Sequence, residues 1–206
     1  MIGVIDYGVG NVQAFLNLYK RIGFDAKRVS KKEDLLNITH IILPGVGHFD
    51  HAMQKLNDSG LRSELEDLVL VKKIPIIGVC VGMQMLSDGS EEGNLPGLGW
   101  IPGYVRSMRN NSNFKDMRLP HMGWNKLSID LKSSLFLNGF EKNPQFYFLH
   151  SYFFVAENRD DVVARVNFGI EFDAVVSSQN IHGIQCHPEK SHHWGENLLK
   201  NFKENI

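Results

Sequence analysis

An α/β fold is what the 206 residues predict, with a mostly parallel central sheet flanked by helices and an antiparallel extension in the C-terminal half. Three observations point there. Short apolar runs end at glycine- or proline-rich turns and are followed by segments with helical spacing; this unit recurs through the first half; and after about Trp100 the rhythm changes to short strands joined by turns. Hydrophobic residues make up 43% of the chain, enough for one sizeable core, and no linker or repeat interrupts it, so a single domain over 1–206 is expected.

Taken in order, Ile2 to Ile5 is a β-rich run, Asp6 to Asn11 breaks it, and Val12 to Ile22 has helical periodicity. Ile41 to Leu43 repeats the pattern, ends at Pro44-Gly45-Val46-Gly47, and is followed by a helix-like stretch from Asp50 to Val71 carrying Leu56, Leu61, Leu65 and Leu68. Ile74 to Val79 opens the third unit and leads into a helix after Cys80. Beyond Trp100, Val105, Leu127 to Ile129, Phe146 to Leu149 and Val162 to Val166 read as short strands, and their spacing favours antiparallel pairing. Ile181 to Cys186 is a last apolar strand, and Gly195 to Lys203 a closing amphipathic helix. Alternation of this kind places ligands beyond the C-terminal strand edges.

Charge excludes some functions. Lys and Arg number 22 against 23 Asp and Glu, so no net field recruits nucleic acid or an anionic membrane. The start, Met1 to Gly8, has no basic segment before an apolar run, and the longest apolar stretches are too short to span a bilayer, so a soluble cytoplasmic protein is expected. Two cysteines, Cys80 and Cys186, cannot form a disulfide scaffold and fit a reducing compartment. Gly8-Val9-Gly10 suggests a dinucleotide loop, but Gln13 occupies the third glycine position and the fingerprint fails. Nine histidines, among them His48, His51, His192 and His193, raise metal binding, yet His192-His193 lack cysteine or carboxylate partners at ligand spacing, and solvated histidines are the blander account; no metal is expected.

Two segments carry chemistry. Gly78-Val79-Cys80-Val81-Gly82 falls where a buried strand turns into a helix, with a glycine two residues to either side of the cysteine. That is the pattern of a nucleophile elbow, in which small residues permit the sharp turn and backbone N–H groups await an oxyanion. A buried structural cysteine fits the same segment. His187-Pro188-Glu189 offers a base and its orienting carboxylate: proline keeps His187 extended, and residues two apart in an extended chain share a side, with Cys186 turned into the core. A surface turn is the alternative. The two segments converge only if their strands are neighbours.

Together with Met83 and Gln84, the elbow resembles the nucleophile motif of the class I glutamine amidotransferases, and His187-Pro188-Glu189 resembles their His/Glu end. More narrowly, the chain is similar to the glutaminase-subunit family of imidazole glycerol phosphate synthases. The segments Asp6 to Asn11, Leu43 to Phe49, Ser90 to Gly93, Pro120 to Asn125 and His187 to Ser191 carry that likeness across nearly the whole chain, with Pro120-His121-Met122-Gly123-Trp124-Asn125 the most specific. The resemblance implies Cys80 as nucleophile, His187 as acid/base and Glu189 as its orienter, with no metal and no organic cofactor. It implies a glutamine pocket holding Gly47, Gln84, Glu92, Ser151 and Tyr152, and an oxyanion hole made by the N–H of Val81 and one from the Val46-Gly47 turn, which flips when a partner and its substrate bind. Val81 stands where leucine is more usual, and Cys186 replaces an aromatic; neither change removes a chemical group.

Because ammonia in bulk water is mostly protonated, its release is useful only beside an acceptor site, so a partner is implied. The resemblance makes it a (β/α)8-barrel cyclase subunit, with Asn11, Trp124, Tyr147 and Lys190 as the docking candidates. Competing readings are a paralogous glutaminase serving another synthase, such as one amidating a nucleotide-linked or surface sugar, and a scaffold subunit without turnover.

Overall fold

The computed structural model describes residues 1–110, 118–129, 137–140 and 144–206. Its first half builds four parallel neighbours, and the last strand of the chain adds a fifth. Strands β1 (Ile2–Ile5), β2 (Ala26–Val29), β3 (His40–Gly45) and β4 (Ile76–Cys80) are joined in the order β2-β1-β3-β4. Every residue of β1, β3 and β4 is buried, as expected for strands covered on both faces. The last strand, Ile181–Ile184, pairs in parallel with β4, matching Ile181 to Ile76 and Ile184 to Val79.

Beyond that strand the direction reverses. The second half contributes β5 (Gly89–Ser90), β6 (Gly103–Ser107), β7 (His121–Lys126), β8 (Ser128–Ile129), β9 (Gln145–His150), β10 (Tyr152–Ala156), β11 (Val162–Phe168), β12 (Ile170–Ser178) and the strand just described, β13. β12 lies antiparallel to β13, and β10 and β6 follow antiparallel in turn. β7 and β9 form a separate antiparallel pair. The mostly parallel sheet with an antiparallel extension is therefore the fold that the sequence predicts.

Helices sit where the periodicity places them, with one correction. α1 (Val12–Arg21) buries Val12, Phe15, Leu18 and Tyr19 on one face, and the Asn11 side chain caps it by accepting the N–H of Ala14 at 3.2 Å. The expected long helix from Asp50 to Val71 is broken. α2 (Phe49–Asp58) stops before Gly60, whose φ of +72° no helix accommodates, and α3 (Arg62–Glu66) then runs into a π-helical turn over Asp67–Val71. The leucine periodicity survives the break because Leu56, Leu61 and Leu65 still face one core. The closing helix, α5 (His192–Asn205), begins earlier than Gly195 and packs Leu198, Leu199 and Phe202 inward.

Ala26–Val29 carries no strand signal in the sequence, since Lys27 and Arg28 occupy its middle. It forms β2 at the sheet edge, where among the described residues one side meets no strand and charged residues are tolerated.

Candidate active site

Cys80 ends β4 with φ 56° and ψ −111°, a backbone geometry that costs a non-glycine residue about 1–3 kcal/mol and survives only where the surroundings dictate it. The surroundings here are backbone. A Cβ on Gly82 would lie 2.0 Å from the carbonyl oxygen of Leu43, so only glycine lets the chain leaving the elbow press against β3. The helix expected after Cys80 is a single turn, α4 (Val81–Gln84), too short for a sizeable macrodipole. Support for a thiolate must come from side chains and individual N–H groups instead.

His187 supplies the first of these. β13 and β4 are parallel neighbours, so their C-terminal ends open onto the same edge, and His187 follows three residues after β13. Its main chain is locked by a hydrogen bond from its N–H to the carbonyl of Tyr147 (2.8 Å) and one from the Ser191 hydroxyl to its own carbonyl (2.6 Å). Nδ1 of the ring lies 2.8 Å from Oε1 of Glu189, and the ring shares the cleft with Cys80 and interacts with it electrostatically. Burial alone would push the imidazole pKa down, but interactions with Cys80 and Glu189 together with their negative charges outweigh it and raise the value to about 10. The His/Glu contact was expected from strand alternation. It is made differently: His187 is extended, while Pro188–Lys190 coil into a 3-10 turn that swings Glu189 back to the ring. Both side chains are nearly inaccessible, and Cys186 is fully buried, pointing away from solvent.

One cleft holds the remaining expected residues. Gly47, Val81, Gln84, Glu92, Ser151 and Tyr152 all line the same cavity as Cys80 and His187. Glu92 has a second attachment, because its Oε2 accepts the N–H of Phe49 at 2.8 Å and so ties the start of α2, just past the Val46-Gly47 turn, to the cleft wall. Burial raises the pKa of Glu92 despite this bond. Tyr7 braces the base of the same turn by donating to the carbonyl of Pro44 at 2.7 Å.

Three polar residues went unnoticed in the sequence as site components. Gln185 donates to the Cys80 sulfur at 3.7 Å, and His150, which lines the cleft, pairs through Nε2 with Nδ1 of His121 at 3.0 Å. Gln185 could have been flagged as an uncharged polar residue inside the apolar run Ile181 to Cys186, and His121 as the second residue of the Pro-His-Met-Gly-Trp-Asn segment. Burial lowers the pKa of His121 to about 4 and of His150 to about 3, keeping both neutral.

Of the docking candidates, three gather beside the cleft. Trp124 is 45% exposed and packs edge-on to Tyr147, over whose ring Lys190 sits at 5.7 Å. Asn11 serves its own helix as N-cap. The histidines weighed as metal ligands are dispersed: His48 caps α2, His192 stacks on Trp124, and His193 lies against Trp194. Among the described residues, no three His, Cys, Asp or Glu side chains come together to hold a metal, and no helix is long and apolar enough to cross a membrane.

With this geometry in place, comparison with known proteins is informative. The family profile for glutamine amidotransferase class-I matches residues 3–205. The imidazole glycerol phosphate synthase subunit HisH of Bdellovibrio bacteriovorus is 52% identical over 99% of this chain and 100% of its own length, and the subunit of the same name from Leptospira interrogans is 49% identical over 98% of each. Among solved structures, one described as a glutamine amidotransferase superposes with a TM-score of 0.75 at 22% identity, covering 98% of this chain and 97% of that one, which speaks for the fold alone. A full-length family match, relatives at about half identity and an intact elbow facing a His/Glu pair agree: the chain belongs to the class-I glutamine amidotransferase family.

Proposed function

We propose that this protein is the glutaminase subunit of an imidazole glycerol phosphate synthase, a single amidotransferase domain that hydrolyses glutamine and passes ammonia to a cyclase subunit in histidine biosynthesis. The observation that carries the chemistry is Cys80, held at positive φ on a strand end and facing one cleft with a buried His187 that is hydrogen-bonded to Glu189. The pathway rests on relatives bearing that synthase's name along their entire length.

In this reading the Cys80 thiolate attacks the side-chain carbonyl carbon of glutamine, forming the C–S bond while the carbonyl electrons move to oxygen. The N–H of Val81 and one from the Val46-Gly47 turn face the resulting oxyanion. His187, protonated at neutral pH because Cys80 and Glu189 raise its pKa, gives its proton to the departing nitrogen as the C–N bond breaks. Water then attacks the thioester, the imidazole takes its proton, and cleavage of the C–S bond releases glutamate and restores the thiolate. Glu189 fixes the ring through its 2.8 Å hydrogen bond to Nδ1.

Gly47, Gln84, Glu92, Ser151 and Tyr152, which line the cleft around Cys80, hold glutamine. Trp124, Tyr147, Lys190 and Asn11 meet the barrel cyclase. The test is glutamate release by the purified protein, alone and with a co-expressed barrel cyclase and its nucleotide ligand, beside Cys80→Ala. Partner-stimulated release that Cys80→Ala abolishes is expected; release surviving in Cys80→Ala refutes the nucleophile, and indifference to the cyclase refutes the pathway.

A further inference from the structure

Gln185 is completely buried where β13 ends, and its side-chain nitrogen is aimed at the Cys80 sulfur from 3.7 Å. The orientation is fixed from its other end. Oε1 accepts a hydrogen bond from Nε2 of Gln84 at 3.1 Å, so rotating the amide by half a turn would set two NH2 groups against each other and leave the sulfur facing a carbonyl. Gln84 is held in turn: its Nε2 also donates to the carbonyl of Tyr152 at 3.0 Å, and that carbonyl lies 2.8 Å from Nδ1 of His150. With Nδ1 of His150 donating there, its Nε2 must accept, and His121 donates to it through Nδ1. The nitrogen of Asn125 reaches His121 Nε2 at 3.3 Å. The Tyr152 carbonyl can only accept, so it fixes both His150 on one side and Gln84 on the other, and Gln84 in turn leaves Gln185 with an N–H presented to the nucleophile.

We propose that Gln185 is a catalytic residue of the glutaminase, a neutral hydrogen-bond donor to the Cys80 thiolate, aligned for that task by Gln84 and the Tyr152 carbonyl. A space-filling role would not require the donor end to face the sulfur. The single-turn α4 makes such a donor useful, since little helix dipole is available to the thiolate. A hydrogen bond to sulfur is long and soft, and one to a charged group still favours it by about tenfold in the ionisation constant. Other titratable groups acting on the sulfur are His187, Tyr7 and Cys186; burial raises the pKa values of the last two, so they stay protonated through the working range.

The inference rests on Cys80 being the nucleophile, and its test needs no turnover. Alkylation of Cys80 by iodoacetamide is followed against pH by peptide mass mapping, which separates it from Cys186, in wild type and in Gln185→Met, a side chain of similar length with no donor. The midpoint is expected to rise by about one pH unit, the tenfold change above. An unchanged midpoint in a folded Gln185→Met protein overturns the role of Gln185, even where inactive Cys80→Ala upholds the glutaminase. Should Gln185→Met not fold, the side-chain amide of Gln185 is followed by nuclear magnetic resonance in wild type: a shift through the midpoint seen by alkylation supports the donor, and a signal indifferent to that titration overturns it.

Discussion

Lowering the pH from 7.5 to 5 removes most of the protein's stability if its buried histidines are as well shielded as the structure makes them. His40, His121, His150 and His182 are each less than a tenth exposed, and burial takes their pKa values to about 4, 4, 3 and 4. For His40 the positive charges of Lys203 and the N-terminus add to the effect, and among the described residues its Nε2 has no hydrogen-bond partner. The folded form thus binds no proton at pH 5 while the unfolded chain, titrating near 6.5, does, so stability is lost as pH falls below 6.5 and the loss continues down to the folded values. At pH 5 each histidine contributes a loss of about 2 kcal/mol, and four give about 8. His187 acts in the opposite sense: its raised pKa contributes fully below 6.5 and fades as pH climbs toward 10, which returns about 1 kcal/mol over this interval. The net fall of roughly 7 kcal/mol is comparable to the whole stability of an ordinary domain. Urea unfolding followed by circular dichroism at pH 7.5, 6 and 5 measures it, with His182→Asn, which keeps a donor-acceptor group near Ser177 but does not titrate, expected to shrink the fall by about 2 kcal/mol. A fall below about 2 kcal/mol in wild type, or no difference in His182→Asn, refutes the reasoning.

Two substitutions probe the elbow and the triad. Gly82→Ala puts a methyl group 2.0 Å from the Leu43 carbonyl, where backbone must move to admit it; a loss of about 3 kcal/mol in urea unfolding, or failure to fold, is expected, and a wild-type stability counts against the close approach. Glu189→Gln keeps the size of the side chain but removes the charge 2.8 Å from His187; kcat for glutamine is expected to drop about 10²–10⁴-fold with KM little changed, in a steady-state assay where an equal loss in KM instead would assign Glu189 to substrate binding.

What the sequence discloses and what it hides divide along physical lines. β1, β3 and β4 are readable because burial on both faces demands uninterrupted apolar runs, and α1 because a single buried stripe imposes its period. β2 is not, because an edge strand tolerates Lys27 and Arg28. The Asp50–Val71 break hides because its leucines keep a common face across Gly60. At the site, His187 and Glu189 declare themselves through being two residues apart. Gln185 and Cys80 are separated by 105 positions, and His121 and His150 by 29, so their pairing becomes visible only once β13 lies beside β4 and β9 beside β7. The close approach of Gly82 to the Leu43 carbonyl likewise joins segments far apart in sequence.

The place where the sheet changes direction follows from the chemistry. Cys80 and His187 meet because β4 and β13 run the same way and end at one edge; were β13 reversed, its C-terminal end would lie about 13 Å away at the opposite edge, the length of four extended residues, and no side chain would bridge the gap. Parallel pairing between these two strands is therefore a requirement of the triad, whereas no catalytic group depends on the direction of β12, which is free to return as a hairpin. β9 then approaches from outside the main sheet and fixes His187 through the carbonyl of Tyr147, while its Leu149 carbonyl lies 3.9 Å from the sulfur. Tyr147 also packs against exposed Trp124. Tyr147 thus joins two contacts, its carbonyl holding the His187 N–H while its ring meets Trp124, so a substitution that displaces this strand is expected to disturb the imidazole as well as the aromatic pair.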